Sequence, residues 1–337
     1  MQQQSPPWAM QAVRDRFRLT GRLNLLYAGE LLEILALFDA HGIRAIPYKG
    51  PILAAEKYGS ISLRTFSDLD ILIPRRDVRQ ASGLLRQRGY ICDGAPLTAT
   101  QEDVTLRSAH ELVHRHPETT VCVEIHWALL PRYMAVPIDL ERLWQRSSET
   151  TFMGRRIRSL SPEDLLLILC VHGANHCWER LDWICGVAEV IRCHRDLDWR
   201  GVLDEADAAG CRRIFLLGVA LAGYLLKADV PADVLARVRA DRAVASLAAQ
   251  VERRLFDPSP TQMTLVAASL FHLRARERAR DRIRCVARLA TTLTPRDVAV
   301  VDLPRSLRVL YHLVRPLRLL ASYGARADLR RPAQRGA

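Results

Sequence analysis

The sequence predicts an α+β protein: a small mixed β-sheet core with packed helices, followed by an all-helical C-terminal domain. Three observations predict the architecture. Short apolar runs of strand length alternate with helical periodicity over residues 20–130. From Ser161 onward only helical periodicity recurs. Between the two, the character of the chain changes across residues 140–160, near Arg146-Ser147-Ser148-Glu149.

Taken in order, residues 21–41 set Leu23, Leu26, Tyr27, Leu31, Ile34, Leu35, Leu37 and Phe38 at helical spacing, and Gly42 is a natural stop. Ile43 to Tyr48 fits a strand. Pro51 suits a first helical turn, so Gly50 lies where that strand turns into a helix over 51–58, ended by Gly59-Ser60. Asp68 to Ile73 is the next strand, stopped by Pro74. Asp77 to Arg88 is amphipathic (Val78, Ala81, Leu84, Leu85) and closes at Gly89. Residues 110–116 and 120–127 form a hairpin about Pro117-Glu118-Thr119. Residues 20–130 therefore read as a helix followed by β-α-β-α-β-β.

Ser161-Pro162-Glu163-Asp164 starts a helix, with Ser at the N-cap and Pro at the first helical position. Helical patterns run over 164–176, 180–194, 200–208, 211–226, 232–254, 261–274 and 303–322. The expected division is an N-terminal helical segment 1–45 on a core 46–145, a helical domain 160–323, and a frayed tail 324–337.

With 49% hydrophobic and 26% charged residues over 337 positions, the composition is that of a soluble globular protein. No run of 18 apolar residues is free of charge, so no transmembrane helix is expected. Met1 to Pro7 lacks the basic start and apolar core of a secretory signal. Eight scattered cysteines without a Cys-x-x-Cys pair fit reduced thiols in a cytoplasmic protein. From Phe271 to the end there are 16 arginines, no lysine and 5 acids, which holds almost all of the net charge of +12. Leu303 to Leu320 is basic and amphipathic. It reads either as a cap on the helical domain or as a membrane-surface segment, and Pro304 and Pro316 favour the cap by breaking its face. The first half lacks a basic stripe, which disfavours nucleic acid as a partner.

The chemistry concentrates in Ser67-Asp68-Leu69-Asp70-Ile71-Leu72-Ile73. Alternation in a strand sends Asp68 and Asp70 to one face. Two carboxylates held that close repel unless a cation lies between them. A hard divalent cation is the usual answer, and Mg²⁺ held by carboxylates commonly serves phosphate chemistry. Glu124, in Val121-Cys122-Val123-Glu124-Ile125-His126-Trp127, offers a third acid. Gly50, ahead of a helix N-terminus, suits phosphate oxygens, and Lys49 or Arg64 supplies a cation for them. Gly59-Ser60 is a rival phosphate loop, but the dipole at a helix C-terminus opposes it. His126 shares a face with Glu124, as a proton carrier near the cations or as a hydrogen-bonded strand residue. His172 and His176 are four apart on a helix, open to cleft-lining, packing or, with Cys177, zinc readings. His110, His114 and His116 share one strand face by parity and read as solvated.

Tyr48-Lys49-Gly50, Arg64-x-x-Ser67-Asp68-Leu69-Asp70 and Val123-Glu124-Ile125-His126-Trp127 resemble the uncharacterised nucleotidyltransferase-like proteins of the DNA polymerase β-type superfamily. His172 through Trp183 and Leu310 through Leu320 are similar to helical signatures of the same family. The resemblance implies metal-dependent transfer of a nucleoside monophosphate from a nucleoside triphosphate to an acceptor, through two Mg²⁺ or Mn²⁺ ions. Asp68, Asp70 and Glu124 would be the metal ligands and catalytic acids, and Lys49, Gly50, Arg64 and Ser67 the nucleotide contacts. The acceptor stays open: a small molecule, a peptide or a protein hydroxyl. Two positions depart from the pattern. Lys49-Gly50 stands where the superfamily has Gly-Ser, and Gly186 where the family often has an acid. A non-catalytic nucleotide-binding or scaffolding protein and a small-molecule phosphotransferase are the alternative readings.

Overall fold

The computed structural model describes residues 6–93, 98–119, 121–257, 263–293, 297 and 303–318. Its architecture is α+β. The N-terminal part comprises α1 (Pro7–Ala40), β1 (Ile46–Pro47), α2 (Gly50–Tyr58), β2 (Leu69–Leu72), α3 (Val78–Gln87), β3 (Ile91–Cys92), α4 (Ala99–Ser108), β4 (Glu111–Arg115) and β5 (Cys122–His126). The strands form one sheet in the order β1-β2-β5-β4-β3. β2 and β5 run parallel and every other neighbouring pair antiparallel.

Alternation gives this sheet two different faces. Leu69, Ile71, Ile73, Val121, Val123 and Ile125 join one apolar cluster with Tyr27, Leu31, Ile34 and Phe38 of α1 and Val78, Ala81 and Leu85 of α3. Each such side chain contributes about 1.5–3 kcal/mol when fully buried. The even-numbered residues of β2 and β5 take the opposite face. There Leu72, with Ile46 and Tyr48, belongs to a second cluster built mainly from the helices that follow. Those are α6 (Pro162–Asn175), α7 (Leu181–Cys193), α8 (Trp199–Ala208), α9 (Arg212–Leu226), α10 (Ala232–Ala240), α11 (Arg242–Leu255) and α12 (Leu265–Arg274), after α5 (Leu140–Arg146); α13 (Ala279–Thr291) follows them in the chain. Neighbouring residues Ile52 and Leu53 of α2 enter different clusters, so α2 lies between the two cores.

Several elements differ from the sequence expectations. The stretch read as a change of character holds α5 and a hairpin of β6 (Ser148–Phe152) and β7 (Arg155–Ser159). Its turn puts Met153 at φ 47 and Gly154 at φ 80, as a two-residue hairpin loop of type I′ requires. Only Phe152 and Ile157 bring this hairpin into a core cluster, which is why apolar patterning does not announce it. The helix read over 232–254 is two helices, because Asp241 is extended (φ −98, ψ 95) and caps α11 by accepting from the Ala243 amide. α1 starts fourteen residues before the expected position, and α4 and α13 were not expected. In the segment read as a helix over 303–322, a 3-10 turn over Arg305–Leu310 leads into helix over 311–318; residues 319–322 and the expected tail 324–337 lie outside the described residues.

Part of the basic surplus is interior. Arg276 is 1% exposed and donates to the carbonyls of Gly210 and Met134. Arg315, also buried, donates to Asp297 at 2.8 Å. No helix among the described residues is long and apolar enough to cross a membrane.

Candidate active site

Strand register assembles the site. The parallel pairing of β2 with β5 sets Asp70 beside Glu124 and Leu72 beside His126. The antiparallel pairing of β4 with β5 sets Glu111 opposite His126. Paired residues point the same way, so Asp70, Glu124, His126 and Glu111 share the sheet face turned away from α1 and α3. Asp68 sits one residue ahead of β2.

Asp70 is 4% exposed. Its Oδ1 accepts from Lys49 Nζ at 2.7 Å and lies 3.2 Å from His126 Nε2. The same Nε2 is 3.3 Å from Glu124 Oε2, and Nδ1 of the ring is 3.5 Å from Glu111 Oε2. Lys49 Nζ also meets His172 Nδ1, on α6, at 3.3 Å. An ammonium only donates, so Nδ1 accepts and the imidazole proton resides on Nε2. Lys49 thus ties the sheet acid to the helical half of the chain.

The electrostatics follow from burial and these partners. Burial alone would raise the Asp70 carboxyl, but the Lys49 ammonium and His126 hold it well below the ordinary carboxylate range. Asp68 has no ion pair among the described residues; burial, then the charges of Asp70 and Glu124, push it up to about 6. Burial would lower His126, yet the carboxylates of Asp70, Glu124 and Glu111 raise it to about 9. Burial opposes ionisation of Glu111 as well, but His110 and His126 bring it down to about 2. His172 is held well below its ordinary value by burial and then by Lys49, so it is neutral.

The donor set fits a divalent cation. Ligand atoms of Asp70, Glu124 and His126 lie within 4.8 Å of one another. Asp70 Oδ2 is buried and has no hydrogen-bond partner among the described residues. A buried carboxylate oxygen left without a partner is costly, and a cation satisfies it. Of the three expected acids, Asp70 and Glu124 stand together. Asp68 lies outside this compact group but is near enough for their charges to raise it.

Of the expected phosphate-side residues, Gly50 and Ser67 abut Asp68, and Arg64 is near enough for its charge to act on it. Gly50 adopts φ +51, and an added Cβ would meet the Asp68 carbonyl oxygen at 3.0 Å, so only glycine fits this approach of α2 to the acidic strand. The backbone of Arg64 is fixed by Asn24 Nδ2, which donates to its carbonyl at 2.8 Å. Two buried guanidinium nitrogens of Arg64 have no hydrogen-bond partner among the described residues, so they are available to an anion. Ser67 Oγ reaches Asp68 Oδ2 at 3.4 Å, and its carbonyl accepts from Tyr27 Oη at 3.1 Å.

The His172 and His176 rings lie 4.7 Å apart between centres, tilted by 55°, and both pack on Trp183. Neither belongs to a three-ligand group among the described residues, and Cys177 Sγ faces His272 at 3.6 Å instead. The segment after His172 has a packing logic: a Cβ at Gly173 would sit 2.4 Å from the buried Trp178 ring. Gly186 faces Leu53 and Leu169, each 3.6 Å from where its Cβ would be, and so lies in an apolar contact.

The solvated reading does not survive for His114 and His110. His114 is fully buried, with Nε2 2.8 Å from Ser82 Oγ of α3. His110 precedes β4 and escapes the strand parity; its Nε2 lies 3.2 Å from Glu111 Oε2 and its ring 5.9 Å from that of His126. Glu111 itself went unnoticed in the sequence. Its signal was the hairpin register, which puts the residue six before Pro117 opposite His126.

A family model described as an uncharacterised nucleotidyltransferase matches residues 1–227. No curated protein matches the chain. Among solved structures, the chain is similar to the antibiotic-resistance factor ANT(2'')-Ia in its solution structure, at 13% identity and a TM-score of 0.38, covering 55% of this chain and 91% of that one.

Proposed function

Because the chain belongs to the uncharacterised nucleotidyltransferase family, we propose that it transfers a nucleoside monophosphate from a nucleoside triphosphate to an acceptor hydroxyl in a reaction that depends on divalent cations. The observation that carries this reading is Asp70 Oδ2, buried without a partner beside Glu124 and His126. Asp68, Asp70 and Glu124 would hold two Mg²⁺ or Mn²⁺ ions. When bound, such ions neutralise triphosphate charge and clamp the attacking and leaving oxygens of an in-line displacement.

The chain's own residues divide the remaining work. The N-terminus of α2 at Gly50 and the free guanidinium nitrogens of Arg64 bind phosphate oxygens, with Ser67 at the entrance. Lys49 Nζ, released from Asp70, pairs with the leaving pyrophosphate. The acceptor oxygen bonds to the α-phosphorus as the α–β anhydride bond breaks, and the hydroxyl proton passes to Glu124 Oε2. His126 Nε2 lies 3.3 Å from that oxygen. His172 and His176 line the helical side of a cleft between a core over 46–145 and a helical domain over 160–323. The acceptor is a small molecule, a peptide or a protein hydroxyl. A dependence on nucleoside triphosphate suits the cytoplasm.

One observation favours a second reading. Lys49 Nζ already gives Asp70 a cation at 2.7 Å, as in a nucleotide-binding protein without turnover. Incubation with each nucleoside triphosphate and Mn²⁺ separates the readings. Transfer releases pyrophosphate, and Asp70→Asn abolishes the release while the protein stays folded. Nucleoside diphosphate release would indicate a phosphotransferase. A thermal shift with nucleotide and no turnover would indicate the binding protein. Asp70→Asn reacting at the parental rate would overturn the assignment.

A further inference from the structure

We propose that His110, Glu111 and His126 form a second cation site on the edge side of the sheet, one that takes a first-row transition ion of the zinc type and shares the His126 ring with the acidic site. Donor chemistry is the first argument. Two imidazoles and one carboxylate form a set that suits Zn²⁺ and its neighbours, whereas Mg²⁺ and Ca²⁺ want oxygen.

Spacing is the second. Glu111 Oε2 lies 3.2 Å from His110 Nε2 and 3.5 Å from His126 Nδ1. Bonds of about 2.0–2.2 Å to a tetrahedral ion put neighbouring donor atoms a little over 3 Å apart, the separation seen here. The backbone fixes all three residues. Glu111 stands opposite His126 in the β4–β5 register, and the His110 carbonyl accepts from the amides of Trp127 and Ala128 at 3.0 and 3.3 Å.

The His126 ring supplies an independent observation. It is 3% exposed, and neither ring nitrogen has a hydrogen-bond partner among the described residues. Yet Nε2 lies 3.2–3.3 Å from Asp70 and Glu124, and Nδ1 faces Glu111. Once metal binding displaces its Nδ1 proton, this buried ring can ligate one ion on the Glu111 side, with Nε2–H turned toward Asp70 and Glu124. The side chains of His110 and Glu111 are 18% and 29% exposed, so an ion can enter and retain a position for water. Because His110 and Glu111 are absent from the acidic group, which shares only His126, the site does not depend on the nucleotidyl-transfer reading.

The test uses the full chain, stripped with chelator, without nucleotide. Co²⁺ titration is followed by visible absorption, and Zn²⁺ content is measured after dialysis. The wild type should give the visible bands of a four-coordinate nitrogen–oxygen site. His110→Gln should lose them and bind Zn²⁺ at least about tenfold more weakly, since loss of even an outer-shell partner commonly costs 10–100-fold. Glu124→Gln should keep the bands. Bands unchanged in His110→Gln, or lost only in Glu124→Gln, would overturn the proposal, as would a wild type that binds no Co²⁺ or Zn²⁺. Circular dichroism of each variant shows whether a loss reflects unfolding. Pyrophosphate release with Mn²⁺ reports on the acidic site separately, so failure of either reading is seen by itself.

Discussion

Replacing Lys49 with methionine isolates what Asp70 requires. The ammonium lies 2.7 Å from Asp70 Oδ1, with the two side chains 10% and 2% exposed. Methionine keeps an unbranched stem of similar length and removes the charge. Deleting one partner of a buried ion pair costs about 3–5 kcal/mol, because the other charge stays buried and uncompensated. In chelator, Lys49→Met should lose stability in urea unfolding followed by tryptophan fluorescence, by less than that figure because His126 Nε2 remains 3.2 Å from Asp70 Oδ1. In saturating Mn²⁺ an ion at Asp70 replaces the lost charge, so the deficit should shrink by at least about half. The same substitution should tighten Mn²⁺ binding, because no ammonium has to be displaced. An equal deficit with and without Mn²⁺ would refute the reasoning, since it would mean that no cation reaches Asp70.

Other expectations follow from single contacts. Burial holds His114 down to about 4, so its contribution is complete above its unfolded value of about 6.5 and is lost as pH falls from there towards 4; between pH 7 and 4.5 this is about 2 kcal/mol. His114→Gln should show an acid-induced loss smaller by about that amount, and identical slopes would contradict the assignment. Gly50→Ala forces a Cβ to 3.0 Å from the Asp68 carbonyl at φ +51; it should cost about 1–2 kcal/mol and weaken Mn²⁺ binding, and unchanged values for both would count against Gly50 as a fitted position. Gly173→Ala overpacks the Trp178 ring, which should cost about 1–3 kcal/mol in thermal unfolding and shift the tryptophan emission; a wild-type melting curve would mean that the ring has room.

What could be read ahead of the structure depended on whether a residue's role is local. The alternation of Leu69 to Ile73 and of Val121 to His126 put Asp70, Glu124 and His126 each on the polar side of its own strand. Parity alone could not say that β2 and β5 are parallel neighbours with Asp70 level with Glu124; that is a matter of register. Glu111 was hidden for the same reason, since it matters only through the β4 pairing with His126. His110 misled because parity was carried one residue beyond the strand. Gly50 was legible as the start of a helix, while its closeness to Asp68 is a tertiary fact. The hairpin over Ser148–Ser159 escaped because its turn is Met153-Gly154 rather than Asn-Gly, and because only two of its side chains enter the core. Asp241, which divides α10 from α11, was concealed by apolar periodicity that runs through it.

The proposed reaction requires divalent ions to gather between the strands carrying Asp70 and Glu124. Crystals grown with Mn²⁺ and a non-hydrolysable nucleoside triphosphate, measured at the manganese absorption edge, address this directly. An anomalous peak in contact with both carboxylates, with Lys49 moved off Asp70, is the expected result. Nucleotide density without a peak there, and with Lys49 still bound to Asp70, would contradict it.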